Sequence, residues 1–486
     1  MANIYVNVTG HKKRFDVINM LLLFWPGSKI LDKKTKDCDV SVHSSVKEFS
    51  GTQKVSARIR WQNKTFICTR TAKTTDESTQ LKLIKQTLFF AGKRATGVCP
   101  PWGILTGIRP MSVYEKLSFE YTTKQAGDIL EKEYLVSAQK RKVLDEIYQF
   151  RQDIYYDGVE QDVSLYVSIP FCPSKCLYCS FVSSAVDRVH GLIEPYLELL
   201  RWEISTKIDM LSSLGKKIST VYVGGGTPGV LTSQQIDDLL FTIISKINYP
   251  LKEFCFELGR PETVTDDKLK ILKKYGVDRL CINCQTLNDE VLSVVGRRHT
   301  AKQFLEALDL ARTYEFDSIN VDYIAGLPSE SVASHCDSVG KAIDLGADNI
   351  TIHTLSIKKA STWNQPHQLY DPTSDATVKM IQSDYEALIE NGYCPYYIYR
   401  QKNTVSNGEN VGYAKKNHIG KYNVYMMEDV HTVIGCGAGA STKIIHNDNG
   451  RIDRFVNTKY PQEYLKFPEK IHISIEQIQE NLKGSN

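Results

Sequence analysis

Nothing in the 486-residue sequence approaches the length of a membrane span. The longest early apolar run, INMLLLFW (18–25), is halted by Pro26 and suits a buried helix. The N-terminus, MANIYVNVTG, alternates like a strand and lacks the charged-then-apolar pattern of a secretory signal. Short internal repeats and low-complexity tracts are missing too. Cysteine is sparse at 12 residues, too few to staple a chain of this length with disulfides. These absences exclude membrane-spanning, fibrous and disulfide-framework classes and lead us to expect a cytoplasmic protein. There thiols stay reduced, so clustered cysteines point to metal or catalysis and scattered ones to packing.

What remains is ordinary for a globular chain: 42% hydrophobic and 24% charged residues, enough length for two or three domains. The net charge of +4 hides an asymmetry, because residues 1–110 carry 19 Lys and Arg against 7 Asp and Glu. A basic N-terminal segment can meet RNA or a ligand with several carboxylates, or simply be a well-solvated face.

Residues 1–75 read as short strands around one helix, with IYVNV and SARIRW the clearest strands. DESTQLKLIKQTLFF, from Asp76, has the pattern of a capped amphipathic helix, and PWGILTGIRP (101–110) breaks regular structure. Helical pattern dominates from about 112 to 155. From 161 the rhythm changes to alternating strands and helices: LYVSIP, STVYVGGGTP, EFCFELG, RLCINCQ, SINVDYIAGLP and NITIHTLSI are the strands. Six alternations argue for parallel βα units in an α/β fold, a partial (βα)6 TIM-like barrel. The last 120 residues are poorly periodic, with helices near 374–391 and 461–484. The expected division is a basic α+β domain (1–115), a helical linker (116–160), the barrel (161–365) and a mixed C-terminal domain (366–486).

The scarce cysteines gather in FCPSKCLYC, where Cys172, Cys176 and Cys179 fall in the loop after the first barrel strand. Barrel active sites sit at that end of the strands. Three thiolates from one loop do not complete a tetrahedral zinc site, and no HxH or ExxH pattern lies nearby to supply a fourth ligand. A cubane iron–sulfur cluster held by three cysteines leaves one iron open for a substrate or cofactor. The alternative is three structural or disulfide cysteines. GGGTP (224–228), at the end of the second strand, lets backbone approach a ligand closely and leaves amides free to bond it. Cys281 and Cys284 form a CxxC within a strand, where that spacing points them to opposite faces, and so they read as packing. GCGAGA (435–440) resembles a dinucleotide fingerprint without the βαβ unit that one requires.

CxxxCxxC after a first barrel strand, with Tyr178 before the last cysteine and GGGTP on the next strand, resembles the radical S-adenosylmethionine superfamily. FELGRPE, CINCQT, VVGRRHT and VDYIAGLP resemble its coproporphyrinogen III oxidase branch, the oxygen-independent HemN-like enzymes. PWGILTGIRP, ELGRPETVT, YYIYRQKN, ENVGYAK and IGCGAGA look specifically like HemZ-type proteins, across nearly the whole chain. The resemblance implies a radical SAM barrel, a [4Fe–4S] cluster on Cys172, Cys176 and Cys179, and S-adenosylmethionine, of which the HemN-like enzymes bind two molecules. It implies that Tyr166 and Tyr178 contact cluster or cofactor and that Gly225, Gly226 and Thr227 hold the methionine end. Glu257, Gln285, Arg297 and Asp322 are then further cofactor contacts.

The implied reaction is oxidative decarboxylation of coproporphyrinogen III to protoporphyrinogen IX, fed by an electron donor such as flavodoxin or ferredoxin. Two positions depart from the pattern: Phe181 stands where HemN-like enzymes carry a fourth cysteine, and Ser168 where the family usually shows histidine. The related haem-chaperone branch also has an aromatic residue at the first of these. A haem-binding protein that keeps the cluster is therefore the alternative. Another radical reaction, on a tetrapyrrole or on RNA, is a third reading.

Overall fold

Strand alternation and tight turns build the first sheet. The computed structural model describes residues 2–107, 109–152, 162–181, 183–356, 375–401, 404–446 and 450–483. The chain divides into two compact units, Met1–Tyr148 with Arg400–Asn407, and Gln149–Tyr399 with Gly408–Asn486. In the first, β1 (Asn3–Thr9), β2 (Lys29–Leu31), β3 (Val40–Phe49), β4 (Thr52–Trp61) and β5 (Lys64–Ala72) form a sheet of order β2-β1-β3-β4-β5. Ser50 and Gly51, then Gln62 and Asn63, all have positive φ, which matches the twist of two-residue hairpin turns. On β4 the period of two sends Val55, Ala57 and Ile59 inward and leaves Lys54, Arg58 and Arg60 exposed. The basic residues of this unit thus make a solvent face of its sheet. Helix Glu77–Thr96 lays Ile84, Leu88 and Ala91 on the inner face. Its first turn is capped by Asp76, which accepts from the Thr79 amide at 2.8 Å, and it ends at Gly97 with φ +78°.

The second unit is organised by six parallel strands. They are β6 (Asp162–Ile169), β9 (Lys217–Gly225), β10 (Glu253–Gly259), β11 (Arg279–Ile282), β12 (Ser318–Ala325) and β13 (Asn349–Thr354), adjacent in chain order. A small pair, β7 (Phe171–Cys172) and β8 (Ser184–Ala185), decorates the first loop. The strands read as near-continuous apolar runs because helices cover one face and side chains fill the other. Helices Ile193–Ser213, Ser233–Ile244, Asp266–Lys274, Ala301–Arg312 and Val332–Asp344 follow successive strands. Thr232 with Gln235, and Thr300 with Gln303, form capping boxes that start two of them.

The poorly periodic C-terminal stretch joins this sheet at both edges. β14 (Cys394–Arg400) and β15 (Glu409–Ala414) extend it beyond β13, with β15 antiparallel. β16 (Thr432–Cys436) pairs parallel with β6, and β17 (Ser441–Ile445) and β18 (Ile452–Val456) follow antiparallel. The full order is β14-β15-β13-β12-β11-β10-β9-β6-β16-β17-β18. A buried ion pair fastens the C-terminal side: Lys207 Nζ donates to Glu203 at 2.6 Å and to the Gly435 carbonyl at 2.6 Å. Glu203 in turn accepts from the Gly437 amide at 2.8 Å and from Asn457 at 2.8 Å. Among the described residues no helix is long and apolar enough to cross a membrane.

Candidate functional site

The cysteine loop leaves the C-terminal end of β6 and is held mainly by backbone. Leu177 donates its amide to Val295 at 3.1 Å, Cys179 to the Cys176 carbonyl at 3.1 Å, and Ser184 to Pro170 at 2.9 Å. Cys172 and Cys176 are buried, and Cys179 is half-buried. The glycine run at the end of β9 is what brings the two strand ends together. Gly225 has φ +111°, and a Cβ on Gly226 would stand 2.6 Å from the Phe171 carbonyl oxygen. The expectation of free amides here is corrected: Gly226 donates to Ile169 at 2.8 Å and Thr227 to Phe171 at 2.7 Å. Those two amides hold the cysteine loop in place. Thr227 Oγ1 also donates to Cys172 Sγ at 3.5 Å.

Two arginines converge on the middle cysteine. Arg297 Nη1 lies 3.9 Å from Cys176 Sγ and 3.4 Å from the Tyr178 hydroxyl, while its Nη2 donates to the Asn283 carbonyl. Arg260 Nη2 lies 3.2 Å from the same sulfur and donates to the Ser174 carbonyl, and its Nη1 donates to Ser174 Oγ at 2.8 Å. Sequence reasoning missed Arg260. It follows directly on strand Glu253–Gly259, and no local signal in GRPE marks it as aimed at the loop. Burial pushes the Cys179 thiol up to about 11, against the opposing backbone bond from Phe181.

Deeper in the barrel the polar groups are carboxylates and tyrosines. Tyr166, Tyr222 and Tyr422 stack, with ring centroids 6.2, 6.3 and 4.6 Å apart pairwise. Tyr222 donates its hydroxyl to Glu257, whose carboxyl burial pushes up to about 7. Asp322 is half-buried, but bonds with His353, Asn320 and Thr351 outweigh desolvation and hold it below the usual carboxylate range. Asn320 Nδ2 lies 2.8 Å and His353 Nε2 3.5 Å from its oxygens. Gln285 bridges β11 and β12 through its backbone: its amide donates to the Asp322 carbonyl at 3.0 Å, and its own carbonyl accepts from Ile324 at 3.0 Å. This residue has φ +73°, and its buried Oε1 finds no hydrogen-bond partner among the described residues. An orphaned acceptor of this kind suits a bound ligand's donor.

The remaining sequence features also find their places. Phe181 is 71% exposed, so it stands in solvent. Ser168 donates to the Ala438 carbonyl at 2.9 Å, tying β6 to the GCGAGA segment. That segment is the β16–β17 turn, with Gly437 at φ +93° against Tyr196. It is no dinucleotide loop. Cys281 faces Cys255 with sulfurs 3.7 Å apart, and Cys284 points at the Asp322 carbonyl at 3.9 Å.

The family model of the radical SAM superfamily matches residues 166–339, from β6 into the helix after β12. The oxygen-independent coproporphyrinogen-III oxidase-like protein HemZ of Bacillus subtilis is 38% identical over 380 residues, 76% of this chain and 75% of that protein. The chain belongs to the radical SAM superfamily, in its HemN-like branch. Within that branch, the heme chaperone HemW of Haemophilus influenzae is 29% identical over 63% of this chain and 76% of its own. The solved structure of the coproporphyrinogen III oxidase HemN of Escherichia coli superposes with a TM-score of 0.52 over 65% of this chain and 71% of that one, at 22% identity, which supports the fold.

Radical SAM membership implies a [4Fe–4S] cluster and S-adenosylmethionine, and the donor set fits them. A cubane spreads its thiolates over separate irons, which suits the three free cysteines of this one loop. Among the described residues Gln285 Oε1, between β11 and β12, and Nε of Arg297, beside the loop, find no partner and offer an acceptor and a donor.

Proposed function

We propose that Cys172, Cys176 and Cys179 ligate the [4Fe–4S] cluster and that the chain carries out oxygen-independent oxidation of coproporphyrinogen III to protoporphyrinogen IX. Each of two propionates loses a β-hydrogen atom, carbon dioxide and one electron to become a vinyl group, the electron passing to an external one-electron acceptor. When bound, the cluster and S-adenosylmethionine supply the reducing electron and the hydrogen-abstracting radical. The chain's own residues position and insulate. Arg297 offers Nε to a carboxylate while its other nitrogens fix Tyr178 and Asn283. Gln285, Glu257 and Asp322 present one orphaned amide oxygen, one carboxyl that holds a proton near neutrality, and one ionised carboxylate. Tyr166, Gly225, Gly226 and Thr227 complete the proposed contacts.

The observation that carries this reading is the 38% identity to a coproporphyrinogen-III oxidase-like protein over three quarters of both chains. Electron supply is assigned to an acidic carrier of the flavodoxin or ferredoxin class. A cleft of about 1170 Å³ beside the cysteine loop is lined by Lys175, Arg188, Arg297 and Arg298 against Asp187 and Asp289, a cationic excess that suits such a partner. Anaerobic reconstitution with S-adenosylmethionine, reductant and coproporphyrinogen III tests the reading. A product lighter by two carboxyl groups is expected, whereas intact substrate beside abundant 5′-deoxyadenosine rejects it.

Phe181 and the HemW relatives favour one second reading, a haem-binding chaperone that retains the cluster. Stoichiometric haem binding, with no substrate-dependent 5′-deoxyadenosine, would select it.

A further inference from the structure

The three cysteines of the loop are not electrostatically equivalent. Cys172 receives a neutral hydroxyl from Thr227, and Cys179 receives the backbone amide of Phe181. Among the described residues the guanidinium groups in hydrogen-bond contact with these sulfurs are those of Arg260 and Arg297, and both go to Cys176. Arg260 makes the shorter contact, 3.2 Å against 3.9 Å. It is 3% exposed, and the Glu262 carboxylate lies 3.5 Å away. Burying a guanidinium is costly unless its donors are matched. Here they are matched by the Ser174 hydroxyl, the Ser174 carbonyl and the Cys176 sulfur. The side chain is therefore braced at two points so that a third donor meets one particular sulfur.

We propose that Arg260 sets the reduction potential of the cluster through a charge-assisted hydrogen bond to the Cys176 thiolate. Adding one electron makes the cluster and its thiolates more negative. A fixed buried cation beside one ligand stabilises that reduced state more than the oxidised one and so raises the potential. No proton moves in this step, and the electron comes from the external donor. Arg297 contributes less at the sulfur, because its distance is longer and its other donors serve Tyr178 and Asn283.

This inference rests on the three cysteines being cluster ligands, and the test separates the two. The full-length chain and its Arg260→Met, Arg260→Lys and Ser174→Ala variants are reconstituted anaerobically, and iron and sulfide are counted. The cluster is then titrated by EPR-monitored redox potentiometry without S-adenosylmethionine. The expected result is full iron content in each, a midpoint shifted to more negative potential in Arg260→Met, and a smaller negative shift in Arg260→Lys. Ser174→Ala, which removes one brace and keeps the charge, should stay near the unsubstituted chain. An unchanged midpoint in fully loaded Arg260→Met overturns the inference. So does an equal shift in Ser174→Ala, or loss of the cluster from both Arg260 variants, since Arg260 would then be only a loop brace. Absence of any four-iron signal in the unsubstituted chain would instead sink the ligand assignment itself.

Discussion

The corner of the barrel at the ends of β6 and β9 and the interior between β10 and β12 organise their polar groups in opposite ways. At the corner, backbone amides of Leu177, Gly226 and Thr227 hold the loop, and two arginines gather on a thiol. In the interior, side chains do the holding, and the two half-buried carboxylates diverge. Glu257 has a tyrosine hydroxyl as its main partner, and burial drives it up to about 7. Asp322 has an imidazole and an amide in contact, and stays below the usual range. Burial is common to both, so the neighbours decide the protonation state.

The largest effect that bears on this contrast is at the corner. Cys176→Ala should remove the sulfur on which both arginines converge and abolish cluster iron, visible-band absorbance and 5′-deoxyadenosine formation together. Retention of the bands would undo the ligand assignment. Gly226→Ala comes next: its Cβ would fall 2.6 Å from the Phe171 carbonyl oxygen. Overpacking of this kind costs about 1–3 kcal/mol, and a lowered melting temperature with reduced iron content is expected. An unchanged melting temperature would mean that the strand ends do not meet as described.

The interior responds with opposite signs. A carboxyl raised from the usual 4.5 to about 7 binds its proton more tightly in the folded state, so stability falls as pH rises through that interval. At about 1.4 kcal/mol per pH unit, Glu257 costs about 3 kcal/mol at pH 8, and the cost vanishes below its unfolded pKa of 4.5. Glu257→Gln should therefore melt higher than the unsubstituted apo-protein at pH 8, with the gain fading toward pH 5. Asp322 contributes stability above its unfolded pKa that is lost as pH falls through the lower folded value. Asp322→Asn should accordingly lower stability at pH 8 by about 1–3 kcal/mol, the cost of uncoupling a half-buried charged hydrogen bond. Thermal melts at the two pH values check both, and equal signs would break the contrast. The smallest effect is at Phe181, which is 71% exposed. Phe181→Ala should change stability by no more than about 0.5 kcal/mol, and a larger loss in calorimetry would show that the ring packs.

Elements that depend on near neighbours were legible in the chain. Helix Glu77–Thr96 declared itself through Asp76 and its apolar spacing, and the six parallel strands through compact apolar runs. FCPSKCLYC and GGGTP are short, and their resemblance led to the superfamily that the comparisons then showed. The C-terminal strands were not legible. β16 and β17 are 5 residues each, too short to display a period, and β16 finds its partner β6 some 270 positions away in sequence. Arg260 was quoted within a motif and yet passed over, because nothing local tells a surface arginine from one aimed at Ser174 and Cys176.

By itself, then, the sequence determined the repeating βα units, the placement of three thiols after the first barrel strand, and the family. Each of these is written in contiguous residues whose spacing sets which groups share a loop or a face. Tertiary structure alone decided that the glycine amides bind the cysteine loop, that Arg260 meets Cys176, that Glu257 and Asp322 titrate in opposite directions, and that the chain's end completes both edges of the sheet. The physical reason is the same throughout. Hydrogen bonds, desolvation and strand pairing depend on which groups are brought within a few ångströms, and those groups come from segments far apart in the chain.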